Sequence, residues 1–334
     1  MNLITQTALD YWNRAKTKKA SSGWISRNAP CCVNRGHNPD KRGRGGLILN
    51  GEEVSINCFN CSWKTSYTPG KPLYPKFIKT LEWIGVDDRT ISSLKLESLR
   101  ITEPENITAP KIKRELKSVD LPESSMLCDN QDKYPKHVEF LKKRGFIPDD
   151  FPFLISNSVV YRNRVIIPFI SQDTIIGYSA RSIIDNEPMR YIMKMTVPFV
   201  FGLDFVKPEY EWVILTEGLF DALSVKGLAV MHNEINEEQV NLINDLRKRI
   251  IVVPHLDKAG LVNSDNSLIN VALDNDWDVS YPEWNCKDIN EAYIKYGPLF
   301  VVKHILNMAT TNYTTIKLKQ KMLNNELKSK DENE

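Results

Sequence analysis

Val213-Ile214-Leu215-Thr216-Glu217-Gly218-Leu219-Phe220-Asp221 and Ile250-Ile251-Val252-Val253-Pro254-His255-Leu256-Asp257-Lys258-Ala259-Gly260 are two short apolar runs, each ending in charged side chains and glycine. Continuous runs of this length, rich in β-branched residues and closed by turn residues, mark strands buried on both faces. Two such strands deliver Glu217, Asp221 and Asp257 to one edge of a sheet. In open α/β sheets ligands bind just beyond the carboxyl ends of the strands, and clustered carboxylates hold Mg2+ against a substrate phosphate. The chemistry suggested is metal-assisted phosphoryl or nucleotidyl transfer. Carboxylates at helix starts also simply favour the helix dipole, a reading that Gly218 and the Asp-Lys-Ala-Gly turn weaken.

Outward from this centre, strands alternate with helical patterns at 219–227, 237–248 and 261–275, and a further strand falls at 278–281. Such alternation predicts a mainly parallel sheet with right-handed crossovers. Upstream, 137–144 reads as a helix, with short strands at 159–160, 165–169 and 174–179, an α+β pattern. Residues 77–99 carry two short helices, 102–125 reads as a Pro-interrupted linker, and 3–16 as a helix. The end, 298–334, is helical and then strongly charged, so its last dozen residues are expected to fray. The chain is therefore α/β and multi-domain. The divisions are 1–70, 71–125 (helices and linker), 126–205 (basic α+β subdomain), 206–297 (parallel sheet) and 298–334 (helix and charged tail).

The 334 residues carry a formal net charge of only +2, which says little about partners. Its distribution says more: residues 1–70 hold ten Lys or Arg against four Asp or Glu, a net +6, so the remainder is −4. That excess favours phosphate backbones, although a solvated basic face gives the same count. No apolar run approaches the roughly 20 residues of a membrane span, and 1–19 is polar and broken by Asp10, unlike a signal peptide. The expectation is an intracellular protein, where clustered cysteines bind metal rather than form disulfides.

Four of the six cysteines crowd into Cys31, Cys32, Cys58 and Cys61, and His37 is near. Cys58-Phe59-Asn60-Cys61 has the form of a zinc knuckle, and the set offers four ligands to tetrahedral Zn2+. Adjacent Cys31 and Cys32 do not easily reach one ion together, so Cys32, His37, Cys58 and Cys61 is the favoured set, with Cys31 as the alternative. Around them lie Arg27, Arg35, Lys41, Arg42, Arg44 and Lys64, interleaved with Trp24, Phe59 and Trp63. Cations for phosphates and rings for bases make a single-strand binding surface; packing of those rings on the ribbon is the rival.

The ordered set of motifs resembles bacterial-type DNA primases, most nearly those of tailed phages. It comprises the zinc ribbon, Tyr161-Arg162-Asn163-Arg164-Val165-Ile166-Ile167-Pro168-Phe169, Ile176-Gly177-Tyr178-Ser179-Ala180-Arg181, Arg190-Tyr191-Ile192 leading to Phe201-Gly202-Leu203-Asp204, and the Glu217-Gly218 and Asp257-Lys-Ala-Gly motifs. The resemblance covers most of the chain. It implies a Toprim catalytic core in which Glu217, Asp221 and Asp257 hold Mg2+ or Mn2+, with Zn2+ structural in the ribbon. It further implies that Arg162, Arg164, Arg181, Lys194 and Lys258 contact template or triphosphate. Lys287-Asp288-Ile289-Asn290-Glu291 looks like the ending of the same fold, where Asp288 either bonds near the site or caps a helix. The implied activity is synthesis of short RNA primers on single-stranded DNA from ribonucleoside triphosphates, in the cytoplasm of an infected host cell, beside a hexameric replicative helicase. No Gly-x-x-x-x-Gly-Lys-[Ser/Thr] occurs, so the chain carries no Walker-type motor.

One departure matters: the family's Asp-x-Asp is His255-Leu256-Asp257 here. Imidazole binds Mg2+ poorly and suits Mn2+ and other transition metals. A weakened metal, an altered metal preference, an inactive centre that only binds DNA or recruits a helicase, and a histidine packed inward all remain open. A Toprim nuclease, which uses similar carboxylates to cut, is a further rival.

Overall fold

The computed structural model describes residues 1–100, 118–171, 173–195, 199–231, 234–256, 261 and 267–331. The chain forms two compact units, Met1–Ile112 and Lys113–Glu334. In the first, α1 (Leu3–Asn13) precedes β1 (Lys18–Lys19), β2 (Ile25–Arg27), α2 (Cys31–Asn34), β3 (Gly45–Asn50), β4 (Glu53–Cys58) and β5 (Lys64–Tyr67), followed by α3 (Pro75–Trp83) and α4 (Asp88–Arg100). The five strands make an antiparallel sheet in sequential order. Every second residue of β4 is buried, as the two-residue period of a strand demands. Val54 and Ile56 enter an apolar core with Ile4, Ala8 and Trp12 of α1, Phe77 and Leu81 of α3, and Ile91 and Leu94 of α4. The third inward residue, Cys58, joins the other cysteines instead. Trp12 is fully buried and its indole N–H donates to Ile25 O at 2.9 Å.

The second unit holds two sheets. α5 (Pro135–Lys143) packs beside an antiparallel sheet of β6 (Ser125–Met126), β7 (Leu154–Ile155), β8 (Arg164–Ser171), β9 (Thr174–Ser182) and β10 (Tyr191–Met195), ordered β10-β9-β8-β7-β6. The other sheet contains β11 (Trp212–Thr216), β12 (Leu228–Ala229), β13 (Arg249–Val252), β14 (Asp278–Ser280) and β15 (Ala309–Thr310), ordered β12-β11-β13-β14-β15. Its first four strands are parallel and only β15 runs against them. The connecting helices are α6 (Leu219–Val225), α7 (Glu237–Asp245), α8 (Leu268–Asp274), α9 (Ile289–Tyr296), α10 (Pro298–Met308) and α11 (Tyr313–Asp331). Val213, Leu215, Ile250 and Val252 enter one apolar layer with α7, α8 and α11, while Ile214, Ile251 and Val253 enter another with α9 and α10. Both faces are covered, which is why these strands read as unbroken apolar runs.

Three expectations change. Residues 159–160 form a turn rather than a strand, with Val159 79% exposed; the strand pairing there is β7. Of the last dozen residues expected to fray, those up to Asp331 belong to α11, because Ile316, Leu323 and Leu327 pack on the parallel sheet's core and give an otherwise polar helix an apolar seam, while 332–334 lie outside the described residues. Of the stretch read as a linker, 101–117 lie outside the described residues, while Val119 is buried and donates its N–H to Ile175 O at 2.9 Å. No helix among the described residues is long and apolar enough to cross a membrane.

Phe201, between β10 and β11 in the chain, bridges Ala229 of β12 and packs in the core of the antiparallel sheet. The next residue, Gly202, has φ +87° and lies so close to Gly227 that a Cβ would strike the Gly227 carbonyl oxygen. Gly202→Ala is therefore expected to destabilise the protein by about 2–3 kcal/mol, read as a lowered urea midpoint; an unchanged midpoint would show that the joint tolerates a side chain.

Candidate functional site

The four clustered cysteines are all buried, and their sulfurs lie within 4.8 Å of one another. Cys31 Sγ is 3.5 Å from Cys61 Sγ and Cys32 Sγ is 3.6 Å from Cys58 Sγ. A disulfide would need about 2.05 Å, whereas sulfurs each about 2.3 Å from one tetrahedral Zn2+ stand about 3.8 Å apart. The set could hold a zinc ion. His37 does not belong to it: the side chain is exposed, and its backbone N–H donates to Cys32 O at 2.8 Å as the chain turns away from α2. The adjacent pair reaches one centre because both cysteines open α2, where Cα–Cβ bonds lean toward the helix N-terminus and so toward the knuckle. Hydrogen bonding to Cys58 and Cys61 holds the Cys31 thiol far above its ordinary pKa, and the same bonding from Cys31 and Cys58 pulls Cys61 far below. Burial pushes Cys32 up to about 11. Crowded thiols resist ionising together, and a divalent cation removes that resistance.

The surroundings sort the cations and rings named above. Trp63 is buried, donates its indole N–H to Thr80 Oγ1 at 2.9 Å and packs on Trp83, so it is structural. Phe59 is 66% exposed, with half-buried Trp24 edge-on at 6.0 Å. Arg35 donates to Cys61 O at 2.5 Å and Arg44 to Asn60 Oδ1, while Lys41, Arg42 and Lys64 are exposed. Asp40 escaped the sequence reading. Burial raises its pKa, but N–H donors from Ala29 (2.9 Å), Arg42 (2.9 Å) and Arg44 (2.7 Å) more than offset this and leave the carboxyl below its usual range. It organises the glycine-rich loop before β3.

In the second unit, parallel pairing of β11 with β13 in the register Leu215↔Val252 sets the two strand ends side by side. Glu217 follows β11, Asp221 lies in the first turn of α6, and both are buried. His255, following β13, points at them: its Nε2 is 2.8 Å from Asp221 Oδ2 and its Nδ1 3.7 Å from Glu217 Oε2. Its backbone N–H also donates to Glu217 Oε1 at 3.4 Å. The half-buried His255 ring faces the two carboxylates rather than an apolar layer. Asp221 Oδ1 accepts the Asn290 N–H from the first turn of α9 at 2.8 Å. Asp288 caps α9, accepting the Glu291 N–H at 2.8 Å, and burial and then the charge of Asp221 push its carboxyl above the usual range. It caps a helix and stands beside the site at once. Asp257 and Lys258 lie outside the described residues.

Of the expected phosphate-contacting arginines, Arg164 is corrected. Its guanidinium is buried and bonded to the carbonyls of Val160 (3.2 Å), Ala180 (3.2 Å), Met189 (2.7 Å) and Arg190 (3.4 Å), so it braces the sheet and has no fork left for a phosphate. Arg181 is the opposite case: buried over the Tyr191 ring at 4.6 Å, its Nε and Nη1 meet no acceptor among the described residues. Burial, opposed by the charge of Tyr191, lowers its pKa. Arg162 and Lys194 are exposed. Arg144, which the sequence did not flag, lies over Phe220 at 4.4 Å and donates to Asn290 Oδ1 at 3.3 Å. The Asn290 side chain returns a bond to Arg144 O at 2.9 Å, and the charge of Arg144 is felt at Arg181. Asp221 is thus linked to Arg144 through Asn290.

No family model matches the chain, and no curated protein does. Among solved structures it is similar to the zinc-binding and RNA polymerase domains of the Aquifex aeolicus primase, at 16% identity and TM-score 0.46, over 93% of this chain and 86% of that one. A DnaG catalytic core matches at 14% identity and TM-score 0.43, over 55% and 79% of the two chains. The primase fragment of the bacteriophage T7 primase-helicase protein matches at 14% and 0.35, over 80% and 96%. These are distant likenesses.

Two outcomes follow from the geometry. Cys31→Ser and Cys32→Ser should each lose zinc while His37→Ala retains one ion per chain, measured by plasma mass spectrometry; zinc loss in His37→Ala would restore the histidine-containing set. At Gly218 a Cβ would come 2.5 Å from Asp221 Oδ2. Gly218→Ala should therefore displace that carboxylate, and a divalent cation added to the protein should bind at least tenfold more weakly than to the wild type, about 1.4 kcal/mol, with little change in the circular dichroism spectrum; equal affinity in the two would show that Asp221 holds no cation.

Proposed function

We propose that the chain is a DNA primase that joins ribonucleoside triphosphates into short RNA primers on single-stranded DNA. The observation that carries this reading is the presence, in one unit, of two buried carboxylates, Glu217 and Asp221, and a buried guanidinium, Arg181, with donors that no described protein group accepts. Leaving a buried donor unmatched costs about 1–3 kcal/mol, so such a group suits a site completed by an anionic ligand. The planar arginine fork matches phosphate oxygens, and carboxylates complement the cation that accompanies a triphosphate.

A divalent cation held by Glu217 and Asp221 would neutralise phosphate charge and favour in-line attack by a 3′-oxygen. The chain's own residues supply positioning. The Asn290 N–H fixes the rotation of Asp221 and Arg144 holds the Asn290 side chain, while Arg181 would offer its spare donors to phosphate oxygens, with Arg162 and Lys194 adding exposed charge. In the first unit, Phe59 and Trp24 offer ring faces and Lys41, Arg42 and Lys64 offer cations to single-stranded template. Roles for Asp257 and Lys258, the hexameric helicase as partner and the infected host cell as setting rest on the motif resemblance. The His255–Asp221 bond favours a second reading, a centre retained as a scaffold for DNA binding.

Primer synthesis from labelled ribonucleotides on single-stranded DNA, with Mg2+ or Mn2+ and with or without the helicase, separates these. Glu217→Gln is expected to lower synthesis by about 10²-fold or more. Arg181→Gln should raise the KM for triphosphates about tenfold while leaving the melting temperature unchanged or higher, since it removes a buried charge. Absence of primers under every condition, with DNA binding intact, would establish the scaffold, and cut DNA in place of primers would identify a nuclease.

A further inference from the structure

His255 replaces an oxygen donor with a nitrogen donor at the acidic centre, and its placement has a consequence for which cation fits. The inference builds on the nucleotidyl-transfer reading above. Asp221 is held from two sides: Oδ1 accepts the Asn290 N–H at 2.8 Å, which turns Oδ2 toward His255 Nε2, also at 2.8 Å. Below this pair lies Gly218, where a Cβ would come 2.5 Å from Asp221 Oδ2 and 3.4 Å from His255 Nε2. The two donor atoms stand over a bare Cα, in space that only glycine leaves open. Glu217 closes the other side, its Oε2 3.7 Å from His255 Nδ1.

Two ligand atoms each about 2.1 Å from one ion and at right angles lie about 3 Å apart. The separation of Asp221 Oδ2 and His255 Nε2, 2.8 Å across a hydrogen bond, is close to that edge, so an ion taking the place of the shared proton, which leaves to solvent, would require little movement of either atom. Mg2+ prefers oxygen donors and its own waters, and gains little from imidazole. First-row transition ions accept imidazole and carboxylate together. We propose that Asp221 Oδ2 and His255 Nε2 form one edge of a divalent-cation site, with Glu217 as the neighbouring carboxylate, and that this site takes Mn2+-class ions in preference to Mg2+. Selectivity then resides in a single side chain, while Asn290 and Gly218 act as positioning residues for the edge.

The test uses the full-length, zinc-loaded protein freed of other divalent ions. Mn2+ binding is followed by loss of the free-ion electron paramagnetic resonance signal, Mg2+ is added in competition, and pulsed spectra of the bound Mn2+ are searched for coupling to an imidazole nitrogen. Wild type is compared with His255→Asp and with His255→Gln, which removes the nitrogen donor without adding charge; circular dichroism and zinc content establish that each is folded. The expected result is nitrogen coupling in the wild type that both variants lose. At least tenfold more Mg2+ should be needed to displace Mn2+ from the wild type than from His255→Asp. Bound Mn2+ with no coupling that depends on His255, equal competition in wild type and His255→Asp, or no Mn2+ bound by the folded wild type would each overturn the proposal. Primer assays on the same preparations keep the two readings apart. A nitrogen-coupled Mn2+ site without primers sinks the primase reading alone, and Mg2+-supported primers from a site lacking the coupling sink this one alone.

Discussion

Parallel pairing of β11 with β13 is the constraint on which the second unit turns. Once Leu215 stands opposite Val252, the chain leaving each strand emerges at the same edge, and Glu217 and His255 have no choice but to meet. The pairing is enforced by burial on both faces: alternate residues of each strand enter separate apolar layers, so a slip of one residue would exchange every side chain between them. The positions of Glu217 and His255 are thereby inherited from hydrophobic packing that has no chemistry of its own.

Around that edge the protein places groups that cost stability by themselves. Two carboxylates are buried, both in contact with His255, and a guanidinium lies within the same unit with donors to spare. Fully buried charges are tolerated when fixed partners or a ligand compensate them. Asn290 illustrates how compensation is shared: its backbone serves Asp221 while its side chain serves Arg144 and Ser224. Arg164 shows the contrasting solution, a guanidinium whose donors are bound by carbonyls and which has become part of the scaffold.

The first unit solves a different problem. Its apolar core is real but small, and the cysteine cluster lies beside that core rather than within it, with Trp63 and Trp83 packed alongside. β4 belongs to both, since its inward face supplies Val54 and Ile56 to the core and Cys58 to the cluster. Metal binding there would staple the knuckle to the start of α2, joining segments that no continuous run of apolar residues connects.

What the sequence determined by itself was whatever local pattern controls. Apolar runs ending in Glu217 and His255 dictated buried strands, the two-residue period of β4 dictated which residues face inward, and cysteine spacing announced a metal-ligand cluster. The tertiary structure decided everything that depends on which direction a side chain points. It chose Cys31 over His37, because consecutive residues at a helix start can lean the same way. It separated Arg164 from Arg181, alike in sequence, by giving one of them four carbonyls. It gave the polar α11 a core to lie on, and it brought Arg144 and Asn290, 146 residues apart, to one hydrogen-bonded pair. Periodicity and composition are properties of neighbours along the chain, whereas partners across space exist only once hydrophobic burial has folded it.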